Sequence, residues 1–463
     1  MTDSPSRSRT RFENFAVTKH HVNSAAKHAA AAKHSELGVS ESFLPLPARL
    51  GDHHAIHLLL QEVFGGPSAR EFQAELEQPG YTPCWRQIMR DGAKLIGHVR
   101  IVPGTMQLAA GTLPIARLCD FAMLTPYRGR GLGSRLLAAA EQQAAALGAQ
   151  MVLARSDKAA FFERQGWFPC GQHIYSCAGP REILAELDVR DHGRTPQVSL
   201  PRKPVHEVTV RRWKQTEYAA IQRLYREGIA GIPGPLLRSE EQWRWLIGRE
   251  AYDWLYLAIE GPDQTTFDNV QAHIIGYMIL KTNRVVELMT SPQREDAARA
   301  LLMRACRDAI EQDVSPLRFD APIEHPFHRL FAAAGGQVVR RECEANQWRL
   351  AKVLNWPGFL STALATLRPG SLSLEFTTSD QGAFHLQRNE EAVRCEPCER
   401  LKHPPGAFSC RSAALAQLLM GHSSLAEADA RGSVQWHQSR DAFASQFPSR
   451  SLWMPPLEEM LAE

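Results

Sequence analysis

The sequence predicts an α/β (α+β) chain in three folded parts: two mixed-sheet domains in tandem, then a smaller α/β domain. Three observations carry this. Strands lead into a glycine-rich loop that opens a helix, and a strand and a second helix follow. The same order recurs after roughly 150 residues, a period well above that of solenoid repeats. After residue 354 the pattern changes to strict apolar–polar alternation.

Residues 1–42 stand apart. "VNSAAKHAAAAKHSE" is of low complexity, scatters His20, His21, His28 and His34, and offers no apolar face to dock. It reads as a disordered tail. The first domain is placed at 43–190. Its "LGDHHAIHLLLQEVF" begins with Asp52 as a candidate N-cap and continues with helical spacing at Ile56, Leu59, Leu60 and Val63. "RQIMRDGAKLIGHVRIV" is a hairpin turning at Asp91-Gly92, and two strands around Gly111 follow. Leu132, Leu136, Ala140 and Ala144 mark a helix with Leu137 and Leu147 beside the stripe and Gly148 to end it. "AQMVLA" is a buried strand, and "KAAFFERQGWF" a helix and turn.

A polar, proline-containing linker is expected near 190–207, and the second domain at 206–354. There "YAAIQRLYREGI" and "REDAARALLMRACRDAIEQ" are helices, while "DWLYLAIE", "AHIIGYMILK", "RVVELMT" and "LRFDAP" are strands. In the third domain, 355–463, "GSLSLEFT" and "GAFHLQR" form an antiparallel pair, and a helix ends at Gly421.

Composition narrows the function classes. With 44% apolar and 22% charged residues and a net charge of +3, nothing favours nucleic acid, and any basic site must be local. No apolar run suits a membrane span, and "MTDSPSRSRTRFENF" lacks the apolar core of an export signal, so a cytoplasmic protein is expected. The nine cysteines do not suggest a disulfide scaffold. Cys395 and Cys398 have no second pair at zinc-site spacing, so two free thiols on or near a loop, and no metal, are expected.

The chemistry concentrates in "MLTPYRGRGLGSRLL". Gly129, Gly131 and Gly133 fall at or just before the first turn of a helix, where backbone N–H groups lack intrahelical partners and the helix dipole is positive. Arg128, Arg130 and Arg135 add full charges. The pattern suits a phosphate. It is neither a Walker loop, which ends in Gly-Lys-Ser/Thr, nor a dinucleotide fingerprint, which has different glycine spacing and follows the first strand.

Arg128-Gly129-Arg130-Gly131-Leu132-Gly133 resembles the R/Q-x-x-G-x-G/A motif of GCN5-related N-acetyltransferases (GNAT), and "AAFFERQGWF" resembles that family's second signature. The resemblance implies acetyl-CoA as co-substrate. Backbone groups of Phe121, Ala122 and Met123 would align its pantetheine. Those of Gly129, Arg130, Gly131, Leu132, Gly133 and Ser134, with Arg128, would hold its phosphates, and Asp157 would meet the cofactor arm. In the second domain the matching stretch, "TSPQREDAARALL", has no glycine and carries Glu295 and Asp296, so it is expected to bind no CoA. One active domain, one degenerate copy and a last domain similar to a sterol carrier protein match the plan of enhanced intracellular survival (Eis)-type acetyltransferases. That plan implies a homo-oligomer, often a hexamer.

The implied reaction is direct attack of an amine, on a small cationic molecule or a lysine side chain, at the thioester. The family's usual acid is a tyrosine, and Phe162 stands in its place. A thiolate can take its proton from water instead, because a free thiol titrates near ~8.5. Two groups are candidates for the base: the chain-terminal Glu463, as the resemblance implies, and Asp120 on the strand before the loop. The competing readings are a non-catalytic CoA- or lipid-binding protein with a decayed site, and a purely structural oligomer.

Overall fold

Apolar spacing and glycine punctuation place most of the elements of the first 170 residues. The computed structural model describes residues 43–108, 111–192, 207–261, 273–364, 372–378, 380–388, 393–399, 407–437 and 452–459; the expected tail and Glu463 lie outside them. Strand β1 (Leu46–Pro47) precedes helix α1 (His53–Phe64), which buries Ile56, Leu59 and Leu60 and ends on left-handed Gly65. Asp52 takes the N-cap position without a side-chain cap; its carboxylate instead accepts from Arg49 N–H and Arg90. Helix α2 (Ala69–Leu76) escapes the periodicity argument because two of its three buried residues are Glu71 and Glu75. Strands β2 (Arg86–Asp91) and β3 (Lys94–Gln107) form the expected hairpin, with Gly92 at φ 56°. Then come β4 (Thr112–Met123), α3 (Leu132–Ala146), β5 (Met151–Ser156), α4 (Ala159–Glu163) and β6 (Phe168–Pro169). Leu147, beside the stripe, is the C-cap of α3 and is exposed.

The two tandem stretches then exchange strands. β7 (His173–Ala178) and α5 (Pro180–His192) complete the first stretch. The second holds β8 (Val208–Arg212), α6 (Tyr218–Ile229), α7 (Glu240–Gly248), β9 (Trp254–Glu260), β10 (Ile274–Lys281) and β11 (Arg284–Thr290). It continues with α8 (Glu295–Glu311), β12 (Leu317–Asp320), α9 (Phe327–Ala333), β13 (Gln337–Arg341), β14 (Cys343–Glu344) and β15 (Gln347–Val353). Among the described residues the first sheet has the order β1-β2-β3-β4-β5-β15-β14, with β6 also on β15. The second runs β13-β7-β12-β11-β10-β9-β8. Thus β7 is inserted into the second sheet and β14–β15 extend the first, so neither 43–190 nor 206–354 closes on strands of its own range.

The last part contains α10 (Trp356–Leu364) and a third sheet of β16 (Leu372–Thr378), β17 (Gly382–Arg388), β18 (Val393–Cys398), β19 (Phe408–Cys410) and β20 (Val434–Trp436), in the order β18-β17-β16-β19-β20. Cys395 and Cys398 sit on strand β18 rather than a loop, and Cys395 is buried. No group of metal-ligating side chains occurs among the described residues.

The first sheet is buried on both faces. Ile101, Ala116, Leu118, Val152, Ala154 and Leu350 join α1 and α3 in one core. On the other face Leu113, Ile115, Met151 and Val353 share a core with Phe376, Phe384 and Phe408 of the third sheet. Farther along that second face, apolar residues give way to charge.

Candidate active site

The site begins where β4 bulges and leaves β5. Pairing with β3 passes from His98↔Ala122 to Arg100↔Cys119, so Asp120 and Phe121 together face Val99. Asp120 takes the left-handed conformation, φ 54°, which costs a non-glycine residue on the order of 1 kcal/mol. Two contacts hold it there. His98 Nδ1 lies 2.9 Å from its carbonyl oxygen, and Arg100 Nε donates to its carboxylate at 2.7 Å. The parallel pairing of β4 with β5 stops at Leu118↔Ala154. Beyond it, residues 119–123 keep an edge that no strand occupies among the described residues, aligned to pair with a chain of amides.

The loop follows directly. Gly129 (φ 74°) and Gly131 (φ 77°) are both left-handed, a conformation that favours glycine, and a Cβ on either would meet nothing within 4 Å. Gly131 is the N-cap of α3 and supplies no side-chain cap, so the N–H groups of Leu132, Gly133 and Ser134 open on the exposed loop. This fits a diphosphate. The arginines divide differently from the sequence expectation. Arg128 Nε is spent on the Met123 carbonyl at 2.9 Å, tying the loop to the end of β4. Arg130 is exposed beside the Phe43 and Tyr127 rings, 5.5 Å from each centroid. Arg135 buries an Nη1 that has no hydrogen-bond partner among the described residues.

Phe162 packs edge-on against Trp167 at 5.0 Å and against Phe161 and Phe121, deep in the core. Asp157 is exposed just past β5 and paired with Lys158. Tyr127 donates to Asp91, and Tyr175 lies in the second sheet beneath Arg318.

Asp120 also faces a cavity of about 380 Å³ on the other face of the sheet. Four strands supply its floor: Arg100 and Val102 from β3, Arg117 from β4, Leu153 and Arg155 from β5, Gln347 and Arg349 from β15. Glu75 and Gln78 close one side, and Trp245 and Arg249 another. Glu75 accepts from Arg86 at 2.7 Å and Arg100 at 3.0 Å, so Arg100 bridges Glu75 and Asp120. Burial pushes the Glu75 carboxyl up despite these cations. Burial also pushes Asp120 up, but Arg100, His98 and Arg86 together outweigh it and keep that carboxyl below the usual range. Asp120 is therefore the ionised carboxylate at the bulge.

The C-terminal segment completes the wall with Met454 and Glu458. Trp453 N–H donates to Pro233 O at 2.9 Å, and a Cβ on Gly234 would lie 2.1 Å from the Trp453 carbonyl oxygen. Arg238 reaches Glu458 at 2.7 Å while gripping Glu287 through both Nη atoms, at 2.9 and 2.8 Å. All three side chains are almost fully buried. In the second unit, the α8 N-terminus carries Glu295 and Asp296, and Arg294 bridges Asp296 and Glu260. Its own side chains thus occupy the position that corresponds to the glycine-rich loop of the first domain.

Sequence reasoning singled out the loop and Asp120, which the structure places at the two ends of the same short stretch, 120–134. It missed Glu75, Arg100, Arg117, Arg155, Arg249, Arg349 and Glu458, which come together from distant segments. The one available signal was an arginine inside an otherwise apolar strand, as in "GHVRIV" and "LPIARLC".

Residues 53–167 match the acetyltransferase (GNAT) family. Comparison with curated proteins gives no match. The fold is similar to a GCN5-related N-acetyltransferase from Kribbella flavida, with TM-score 0.67 and 17% identity over 89% of this chain and 97% of that one. It is also similar to a probable N-acyltransferase from Enterococcus faecalis V583, with TM-score 0.69 and 12% identity over 89% and 98%. Eis1 from Mycobacterium abscessus aligns with TM-score 0.61 and 16% identity over 89% and 99%. Matched motif, bulged strand and overall fold agree, and the chain is an acyltransferase that carries a GNAT-family domain in an Eis-like architecture.

Proposed function

We propose that this protein transfers an acetyl group from acetyl-CoA to an amine by direct attack in the first domain. One observation carries the reading: an uncapped helix N-terminus with two left-handed glycines lies beside an unpaired strand edge that opens at a carboxylate-bearing cavity. The N–H groups of residues 129–134 hold the phosphates, with Arg135 adding charge, and the edge of Phe121, Ala122 and Met123 pairs with the pantetheine amides. Asp157, at the end of β5, meets the cofactor arm. Acetyl-CoA, when bound, supplies an activated acetyl thioester.

The chain's own residues do the rest. Backbone N–H groups on the free β4 edge donate to negative charge developing there. Asp120, ionised on the cavity wall, draws in the acceptor ammonium and takes its proton. Glu463 is the second carboxylate for that proton; the anchoring of Met454 and Glu458 at the cavity supports its reaching the site. Phe162 is packing, so the departing thiolate is protonated by water. The last domain, read as sterol carrier protein-like, acts by shaping the acceptor cavity with its C-terminal segment. The exposed Leu44, Leu46, Leu50, Leu58 and Phe64 support homo-oligomeric assembly, which light scattering tests.

The test is release of free thiol from acetyl-CoA with a panel of amines, beside calorimetric titration of acetyl-CoA. Amine-dependent release is expected. Binding without release from any amine would favour a CoA-binding protein with a decayed site, and absence of binding would refute the loop assignment.

A further inference from the structure

The C-terminal segment 452–459 buries Leu452, Trp453, Pro455, Pro456 and Leu457, yet among the described residues it joins none of the three sheets. Pro455 and Pro456 have no N–H to give a strand. Leu452 N–H donates to Gly421 O at 3.3 Å and Trp453 N–H to Pro233 O at 2.9 Å. Past Trp453, side chains supply the anchors. Trp453 and Leu457 enter the core that α6, α7 and one face of the second sheet share, beside Tyr225, Trp243 and Met289. The turn Pro456–Glu459 lies on β11. There the pairing of β11 with β12 has already ended, at Val285↔Phe319, and the fully buried Glu287 follows two residues on.

Glu287 is held from three sides. Both Nη atoms of Arg238 donate to it, and so does Tyr277 Oη of β10, at 2.5 Å. The same guanidinium lies over the rings of Tyr225 and Trp243, 4.0 and 4.5 Å from their centroids. With both Nη atoms fixed on one carboxylate and its plane against two rings, the rigid fork cannot turn. Its remaining N–H, on Nε, therefore has one direction, and Glu458 accepts it. Replacing a buried ion pair by apolar packing is commonly neutral or stabilising, so stability does not account for three buried charged side chains in an apolar core. What they supply, and apolar side chains would not, is a fixed direction for Glu458. Glu458 and Met454 line the cavity beside Asp120, whereas Arg238, Glu287 and Tyr277 lie outside its lining.

Resting on the acetyltransferase reading, we infer that Arg238, Glu287 and Tyr277 are positioning residues for the acceptor: they hold Glu458, and with it the C-terminal wall of the cavity, from strands and a loop that do not line it. The second unit, which has no glycine-rich loop of its own, thereby takes part in acceptor recognition as the receptor of the chain's last segment.

The experiment uses the full chain and the variants E287Q, Y277F, E458Q and E287Q/E458Q, with L301A as a control that loosens the second unit from its other core. Acceptor kinetics are read by thiol release with spermidine and with Nα-acetyl-lysinamide, acetyl-CoA affinity by calorimetry, and the order of 452–459 by hydrogen exchange. E287Q is expected to raise acceptor KM at least about tenfold with little change in kcat, and to speed exchange in 452–459 by a similar factor. Acetyl-CoA affinity should stay within about twofold of the parent. Y277F keeps both ion pairs, should move KM and exchange the same way by about threefold, and carries the test if E287Q does not fold. In the E458Q background E287Q should add less than about twofold to KM, because both act by one route. Full additivity of the two substitutions, or an equal effect from L301A, overturns the inference and leaves the transferase reading intact. Unchanged KM and exchange in both E287Q and Y277F do the same. If neither amine releases thiol, the transferase reading fails for these acceptors and exchange alone decides. Faster exchange of 452–459 in E287Q and Y277F then upholds the anchoring, and unchanged exchange refutes it.

Discussion

Replacing Gly131 by glutamate puts the loop assignment to its sharpest test. The residue sits at φ 77°, so any L-residue there costs about 1 kcal/mol. A Cβ meets nothing within 4 Å, so no clash adds to this. A carboxylate at the N-terminus of α3 returns about 0.3–1 kcal/mol through the helix dipole. The net loss of stability is therefore under about 1 kcal/mol, small beside the roughly 5–15 kcal/mol of an ordinary domain. Binding of a polyanion responds quite differently. One negative charge about 6 Å from a phosphate charge, at an effective dielectric near 20, opposes binding by about 3 kcal/mol, or on the order of a hundredfold in Kd. Calorimetric titration with acetyl-CoA, beside a thermal melt, reads both quantities. Raising the salt concentration should recover part of the loss in affinity. A folded Gly131→Glu protein whose affinity stays within about threefold of the parent would refute the assignment of the loop to phosphate.

Four further outcomes are expected. Gly234→Ala drives a Cβ into the Trp453 carbonyl and must displace the C-terminal segment, so acceptor KM should rise while acetyl-CoA affinity holds; unchanged acceptor kinetics would count against that segment as a cavity wall. Arg238→Met strands Glu287 and Glu458 in the interior and should cost about 3–5 kcal/mol in denaturant unfolding. Asp120→Asn should lower kcat by about a hundredfold or more without weakening acetyl-CoA binding if Asp120 takes the proton, whereas truncation after Glu459 should do so if Glu463 does; retention of full kcat by both variants would remove both carboxylates from the reaction. Burial, aided by Arg86, pushes His98 down to about 3, and burial with His328 does the same to His325. Between those values and the unfolded value near 6.5 the unfolded chain binds more protons, so stability should fall as pH drops below about 6.5. The loss is about 2 kcal/mol per histidine at pH 5. A melting temperature that stays flat from pH 7 to 5, or one that His98→Gln leaves equally pH-sensitive, would contradict this.

Much of the fold was legible because it is local. Apolar residues four apart at Leu132, Leu136, Ala140 and Ala144 produce α3 wherever the chain goes, and Asp91-Gly92 turns its hairpin by backbone geometry alone. Helix α2 was not legible, since its buried face holds Glu71 and Glu75, which only the arginines of other segments make tolerable inside. The exchange of β7 with β14–β15 was hidden for another reason. A strand buried on both faces shows that it needs neighbours but not which, so an order of elements repeated twice looks like two self-contained sheets.

The sequence by itself determined the glycine-rich loop at the start of α3, because N–H groups at a helix start and glycines at positive φ need only adjacent residues. It also determined that the second copy lacks such a loop, since carboxylates at its helix N-terminus are written in the same few letters. Only the tertiary structure decided the cavity on the other face of the first sheet. The bulge that exposes Asp120, the ion pairs that engage Glu75 and Glu458, and the row of arginines from β3, β4, β5 and β15 all depend on strand register and on a strand exchanged from more than 150 residues away. Charges placed by such long-range pairing have no signature in any one stretch of chain.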